Sequence, residues 1–161
     1  MAILAIKPSS ASDDFQFQDA SGNAILQVDG DGSRVDYKKG ISEKVGTITG
    51  TSGGVTVDLS TGTFFEVTLT NPITTWAFTN VPTSGTACAW LIKINQASSA
   101  VGGTPVTWAG DGTTTGSSAI KWQGGTAHQM SAGNSEIDLI SMFTIDGGTT
   151  IYANEVGKAF G

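Results

Sequence analysis

The pentapeptide Gly50-Thr51-Ser52-Gly53-Gly54 carries the letters G-x-S-x-G of a serine nucleophile elbow. Such an elbow holds its serine between a strand and a following helix, and the serine needs a histidine as its base. Here a predicted strand, Val55–Leu59, follows the motif, and His128 is the one histidine of the sequence. We therefore interpret the stretch as a glycine-rich hairpin loop and predict no catalytic residue in it.

Residues that could bind a metal are equally sparse. A lone histidine cannot build a His-rich zinc site, and Cys88 has no second cysteine in the sequence. Three copies of His128 could meet on a three-fold axis, but we expect this residue in a loop or at the surface. Asp29-Gly30-Asp31-Gly32-Ser33 is similar to a calcium loop, yet Gly40 stands where the closing glutamate belongs. The sequence predicts a turn there, no metal ligand and no cofactor-binding residue.

The charge of the chain excludes several kinds of partner. Its 161 residues carry a formal net charge of −6, and 14% are charged, against about 25% in average soluble proteins. An acidic chain with few basic residues cannot neutralise phosphates, so nucleic acids and anionic membrane surfaces are unfavourable partners. General acid–base catalysis needs converging titratable groups, and the scarcity of such groups predicts that the protein is not an enzyme.

Cysteine content and hydropathy allow folding in a reducing cytoplasm. Cys88 is the one cysteine of the sequence, so an intrachain disulfide is excluded. It stands in the apolar run Ala87–Leu91, which predicts that Cys88 is a small buried side chain. The apolar start, Met1–Ile6, ends at Pro8, too early for a signal peptide. No apolar run approaches the roughly 20 residues of a membrane span, so we expect no membrane insertion.

The distribution of charge divides the chain into two predicted regions. Residues 1–45 hold five of the eight basic and seven of the fourteen acidic side chains. Within this region Phe15–Gln18 alternates with period 2, a turn follows, and Ala24–Val28 and Arg34–Tyr37 predict two further short strands. Three small strands bury too little surface to be stable alone. We therefore predict that residues 1–45 form an N-terminal anchor or oligomerisation region.

Residues 46–161 predict a larger all-β domain. Short segments rich in β-branched and aromatic residues alternate with Gly, Pro, Asn and Thr, and none shows a sustained helical period. The predicted strands are Gly46–Thr49, Val55–Leu59, Phe64–Thr70, Thr75–Phe78, Ala87–Gln96, Val106–Trp108, Ala119–Trp122, Ile137–Ile145 and Thr150–Ala153. This pattern predicts an antiparallel β-sandwich or jelly-roll-like head behind the short N-terminal β-hairpin region. The strands also contain or adjoin all four tryptophans, most of them expected in the core.

Three stretches of the head, taken in order, resemble a β-rich domain of tailed-phage structural proteins. They are Val55–Phe64 with Thr68–Thr70, Ile120–Ala127 and Ile137–Tyr152. Phages of cyanobacteria and other marine bacteria are the main source of such proteins, which are usually described as decoration, head-fibre or tail-fibre-like. Locally, the stretches predict a Gly124-Gly125 turn after a strand and a hairpin turn at Asp146-Gly147-Gly148.

The resemblance implies a virion surface protein that assembles in the host bacterial cytoplasm. A short anchor followed by one head favours a capsid decoration, cement or head-fibre protein that binds the major capsid protein through residues 1–45. The alternatives are a tail-fibre or receptor-binding head held by a tail adaptor, and a carbohydrate-binding adhesin module. The implied assembly is a homotrimer, and a host-surface glycan is a further candidate partner.

Overall fold

The computed structural model describes residues 15–29, 34–50, 53–96, 107–108 and 120–161. The chain divides into an N-terminal unit, Met1–Ser42, and a main unit, Glu43–Gly161. The division lies three residues before the end of the predicted anchor region, residues 1–45. The anchoring role of that region stays a prediction.

The N-terminal unit contains one antiparallel sheet of three strands. These are β1 (Phe15–Gln18), β2 (Ala24–Asp29) and β3 (Arg34–Tyr37). The carboxylate of Asp19 closes the turn between β1 and β2 by accepting hydrogen bonds from the backbone N–H groups of Ser21 and Asn23 at 2.9 and 3.0 Å. This side-chain capping is typical of Asp in turns, and it confirms the predicted hairpin.

The main unit is built from nine described strands in two sheets, with 3-10 turns at Leu59–Thr61 and Gln123–Gly125. The large sheet has the strand order β10-β12-β11-β8-β6-β4, and the small sheet has the order β5-β7-β9. The strands are β4 (Gly46–Gly50), β5 (Gly53–Asp58), β6 (Phe64–Leu69), β7 (Ile73–Thr79), β8 (Cys88–Gln96), β9 (Thr107–Trp108), β10 (Ile120–Trp122), β11 (Ile137–Thr144) and β12 (Ile151–Phe160).

Consecutive strands from β4 to β9 alternate between the two sheets. Each therefore lies parallel to the strand two places before it, and the small sheet is parallel throughout. Only the pairs β8–β11 and β11–β12 of the main unit are antiparallel among the described strands. The all-β class is confirmed, whereas the predicted antiparallel pairing was wrong for the pairs among β4 to β9 and for the pair β10–β12. Period-2 alternation shows which face a strand buries but not the direction of its neighbour.

The turns explain why the chain changes sheet. Asp58 caps the 3-10 turn that carries the chain from β5 to β6, accepting the N–H of Ser60 at 2.9 Å. The amide of Asn80, at the equivalent corner after β7, donates to the same Asp58 oxygen at 2.8 Å. By contrast, Gly147 and Gly148 adopt positive φ angles of 74° and 81° and fold β12 back beside β11. That hairpin confirms the turn predicted from Asp146-Gly147-Gly148.

The inward side chains of both sheets form one hydrophobic core. Phe78 of the small sheet packs against Trp90 of the large sheet with ring centroids 5.2 Å apart. Trp76 and Trp90 are buried, and Trp122 packs partly buried against the core. The core is completed by Val55, Val57, Leu59, Phe65, Val67, Leu69, Ile73, Ile92, Ile94, Ile120, Met130, Ile140, Met142, Ile151 and Ala153.

Every predicted strand has a counterpart in the described residues, with bounds that differ mostly by one or two residues. The largest difference is β12, which runs to Phe160 instead of ending at Ala153. The predicted strand residues Val106 and Ala119 lie outside the described ranges, as does the side chain of Trp108.

Gln96 is a polar exception in the core. It occupies the last inward position of β8, is 2% exposed, and its side-chain amide has no hydrogen-bond partner among the described residues. A buried polar group without a partner costs about 1–3 kcal/mol. We predict that Gln96→Met raises the free energy of unfolding by about 1–2 kcal/mol in urea titrations. The matched change at an exposed glutamine, Gln123→Met, should leave stability within about 0.5 kcal/mol, and a destabilised Gln96→Met variant would contradict the prediction.

Candidate functional site

The N-terminal sheet has one entirely apolar face. Strand register aligns Phe15 with Val28 and Val35 in one row, and Phe17 with Leu26 and Tyr37 in a second row. Directly opposed residues share a face, so all six side chains point to the same side. We call this set the N-terminal apolar face. Four of its members remain largely uncovered, with Phe17 55%, Val28 39%, Val35 52% and Tyr37 62% exposed.

The opposite face of this sheet is polar apart from Ile25. Arg34 forms ion pairs with Asp29 at 3.1 Å and with Asp36 at 3.0 Å, and Lys38 pairs with Asp36 at 2.9 Å. Surface ion pairs of this kind add little stability, but they keep one side of the sheet hydrated. The N-terminal sheet is therefore amphipathic, with a single side suited to packing against protein.

A buried polar cluster forms in the main unit around His128, which is 3% exposed. His128 and Ser131 lie in the segment after the Gln123–Gly125 turn, Asp138 takes an inward position on β11, and Glu155 lies on β12. The ring nitrogens of His128 lie 3.2 Å from Asp138 (Nε2 to Oδ2) and 2.7 Å from Glu155 (Nδ1 to Oε2). His128 lies in a loop, one of its two expected positions, but the other expectation, a surface position, was wrong, because two carboxylates satisfy the polar ring in the interior.

Asp138 is the centre of this cluster. It accepts hydrogen bonds from the backbone N–H groups of Ser131 at 2.7 Å and Ala159 at 3.1 Å, and from the Ser131 hydroxyl. Burial opposes ionisation of Asp138, but the hydrogen bonds from His128, Ser131 and Ala159 together outweigh it and hold its pKa well below the usual range. The ionised carboxylate therefore ties the loop and the end of β12 to β11.

The cluster does not have the order of a catalytic triad. A serine nucleophile must lie against the base, whereas the Ser131 hydroxyl donates to Asp138. Both ring nitrogens of His128 already face carboxylate oxygens, and the Asp138 side chain is fully buried. This arrangement positions groups in the fold and does not present a base to a substrate.

An open groove lies beside the cluster, at the edge of the large sheet. β10 ends at Trp122 because Gly124 and Gly125, with φ angles of 74° and 76°, turn the chain away from β12. No described strand replaces β10 next to Asn154–Phe160. The positive φ angles confirm the predicted Gly124-Gly125 turn.

Two adjoining cavities of about 370 and 350 Å³ form this opening, which we call the edge groove. They share Trp122, Gln123 and Asn154 as lining residues. The other principal side chains of the groove are Lys121, Thr126, His128, Gln129, Ser141, Phe143, Tyr152, Glu155 and Lys158.

The outer face of the large sheet continues beyond the groove as an apolar surface. Two further cavities, of about 350 and 280 Å³, lie on either side of the Phe64 side chain and share Leu91 in their lining. At the polar end of this face, Glu66 accepts hydrogen bonds from Lys93 at 2.7 Å and Asn95 at 3.0 Å. The outer face is therefore apolar near the edge groove and charged farther away.

The motifs singled out in the sequence do not converge on a common site in the described residues. Thr51 and Ser52 of the G-x-S-x-G stretch, and residues 30–33 of the loop that is similar to a calcium loop, lie outside the described ranges. β4 and β5, the strands on either side of the G-x-S-x-G stretch, belong to different sheets and do not pair with each other, so the predicted hairpin was wrong. Cys88 is half-buried, and burial raises the pKa of its thiol.

Little in the sequence predicts the Asp138 cluster. The one signal is a carboxylate, that of Asp138, in register with the inward apolar positions Ile140 and Met142 of β11. Its partners are distant in sequence and become neighbours only through the tertiary fold. Within the described ranges, no three His, Cys, Asp or Glu side chains are grouped so as to hold a metal ion.

No family model, curated protein or solved structure matches this chain. In the described part of the chain, no helix has the length and hydropathy needed to cross a bilayer.

Asp138 gives a prediction about stability and pH. Because its pKa is lower in the folded than in the unfolded chain, the ionised group stabilises the fold above about pH 4, and this contribution is lost as the pH falls. Asp138→Asn should lower the free energy of unfolding at pH 7 by about 3 kcal/mol, and by progressively less toward pH 2, in urea titrations. Asp146→Asn is the control and should cost less, because Asp146 is only half-buried and lies in a turn, where its carboxylate accepts hydrogen bonds from Thr144 and Thr150. Equal losses for both variants, or a pH-independent loss at Asp138, would contradict the assignment.

Proposed function

We propose that this chain is a structural protein on the surface of a bacteriophage particle, and that it acts as a capsid decoration, cement or head-fibre protein. The resemblance of Val55–Phe64 with Thr68–Thr70, of Ile120–Ala127 and of Ile137–Tyr152 to tailed-phage structural proteins supports the proposal. The described strands β5, β6, β10, β11 and the start of β12 overlap these stretches. In this proposal the two sheets of the main unit form a β-sandwich-like head.

The N-terminal apolar face is the observation that carries the proposal. A three-stranded sheet of four to six residues per strand is marginal in water unless its apolar side is covered. The face has two rows of apolar side chains, and four of its six members are largely exposed. Such a patch favours a surface that binds another protein over one that faces water. We propose that this face binds the major capsid protein at a symmetric site, or a tail adaptor in the alternative below.

The main unit has a core of its own and is proposed as the projecting head. A homotrimer is the proposed assembly, because oligomers with closed symmetry match the symmetric sites of a particle. The buried His128 cluster supports a structural role, since its groups are engaged with one another. The virion surface is the proposed location, reached after assembly in the bacterial cytoplasm.

The edge groove favours a second candidate function. A tail-fibre or receptor-binding head, or an adhesin module, needs an accessible site for a ligand, and this groove is open and lined by polar and aromatic groups. The two candidate functions predict different locations, since a decoration protein lies on the capsid and a receptor-binding head lies on the tail.

The location of the protein is tested on intact particles. Gold-labelled antibodies against the main unit should mark the heads of particles purified from the source culture, and the chain should be found in those particles by mass spectrometry. Labelling of tail tips would favour the receptor-binding alternative. Absence from purified particles, or a purified monomer that fails to bind empty capsids, would contradict the virion proposal.

The docking face is tested by paired substitutions in the N-terminal sheet. Phe17→Ser with Tyr37→Ser should weaken binding to empty capsids by about tenfold or more, because aromatic side chains carry much of an interface's free energy. The matched pair Gln16→Ser with Gln27→Ser changes the opposite face and should leave binding unchanged. Deleting residues 1–42 should abolish attachment without lowering the melting temperature of the head. Unchanged attachment after this deletion would exclude the N-terminal sheet as the anchor.

A further inference from the structure

The edge groove combines aromatic rings with side-chain amides. Phe143 and Tyr152, neighbours on β11 and β12, stack with ring centroids 5.0 Å apart and remain 46% and 45% exposed. Trp122 is half-buried between the two cavities and stacks on His128 with ring centroids 6.2 Å apart. The position of Trp122 is therefore fixed by the same cluster that holds the neighbouring loop.

Hydrogen-bonding groups continue the groove from the aromatic end. The amides of Gln123, Gln129 and Asn154 are exposed along it, and each offers both a donor and an acceptor. The Glu155 carboxylate is oriented by His128 through Oε2, while its Oε1 has no hydrogen-bond partner among the described residues. The Lys158 ammonium donates to the backbone carbonyl of Gln129 and holds the far wall.

We propose that the edge groove binds an oligosaccharide. Sugar rings present apolar C–H faces, which pack against aromatic rings, and pairs of hydroxyls, which need both donors and acceptors. Tyr152 and Phe143 supply the aromatic surface, and the amides with Glu155 supply the polar partners. The combined volume, two adjoining cavities of about 370 and 350 Å³, suits a ligand of several rings better than a single small metabolite.

Other ligand classes fit this lining less well. The buried centres of protein interfaces are depleted of charged residues, whereas Lys121, Glu155 and Lys158 all line the groove. A nucleic acid would need a basic surface, and the chain carries a net charge of −6. The apolar surface around Phe64 is the better match for a protein partner; it adjoins the groove at Ser141 and Phe143 and extends away from it toward Val45.

The groove is suited to binding sugar without cleaving it. Glycoside hydrolysis generally requires two carboxylic acids that both reach the scissile bond. Glu155 is the one carboxylate among the described lining residues, and the nearby Asp138 side chain is fully buried and accepts hydrogen bonds from the protein. The bound saccharide is therefore expected to be released intact.

The proposal is tested with the purified full-length chain. The probes are maltohexaose, chitohexaose and a bacterial O-antigen polysaccharide, measured by calorimetry and by tryptophan fluorescence. At least one probe should bind saturably, with a fluorescence change from Trp122, and should be recovered uncleaved. Failure of all three probes to bind at millimolar concentration would overturn the proposal, as would their cleavage.

Two substitutions locate the site within the groove. Tyr152→Ala should weaken binding about tenfold, and Asn154→Ala about fivefold, because each removes one contact with the ligand. Phe64→Ala is the matched control, since Phe64 is also 45% exposed on the large sheet but lines neither cavity of the groove. Melting curves confirm that each variant is folded. Loss of binding in Phe64→Ala with none in Tyr152→Ala would place the site elsewhere and overturn the assignment.

This test is independent of attachment to a particle. Sugar binding is measured on the isolated protein, so its failure leaves the virion role intact. Conversely, a protein that binds the saccharide but is absent from particles would retain the site and lose the proposed virion function.

Discussion

Neither sheet of the main unit can cover its own apolar face, so the structure depends on the contact between the two sheets. Phe78 and Trp90 mark that contact, and Trp76 is completely buried beside them. Because consecutive strands from β4 to β9 alternate between the sheets, each successive strand adds side chains to the opposite side of the core. The same arrangement leaves the outer face of the large sheet free, and its exposed aromatic side chains become available for binding.

Hydrogen bonds link Asp138, in the interior of the main unit, through His128 to Glu155 at its surface. A carboxylate in a core position would be strongly destabilising without partners, and here His128, Ser131 and Ala159 provide them. Through His128 the same group orients Glu155 and supports Trp122. A buried polar cluster thus determines the shape of one wall of the edge groove, although its central carboxylate does not line the groove.

The two exposed surfaces differ in chemistry, and this difference underlies the two proposals. The N-terminal apolar face contains no charged side chain and belongs to a sheet too small to be stable when uncovered. The edge groove mixes aromatic, amide and charged groups at the margin of a well-packed domain. The first surface suits a protein that remains bound, whereas the second suits a hydroxyl-rich ligand that exchanges with water.

The strands, the face that each strand buries and the tight turns could all be predicted from the sequence. These features are local: alternation places Val55 and Val57 inward, and consecutive glycines at 124–125 and 147–148 allow positive φ angles. Which strands pair, and in which direction, could be learned only from the tertiary structure, because side chains alternate with the same period in parallel and antiparallel strands. The tertiary structure also decided the burial of His128, whose partners Asp138 and Glu155 are 10 and 27 residues away in the chain. The edge groove depends on the same long-range pairing, since it exists where β10 ends and β12 continues.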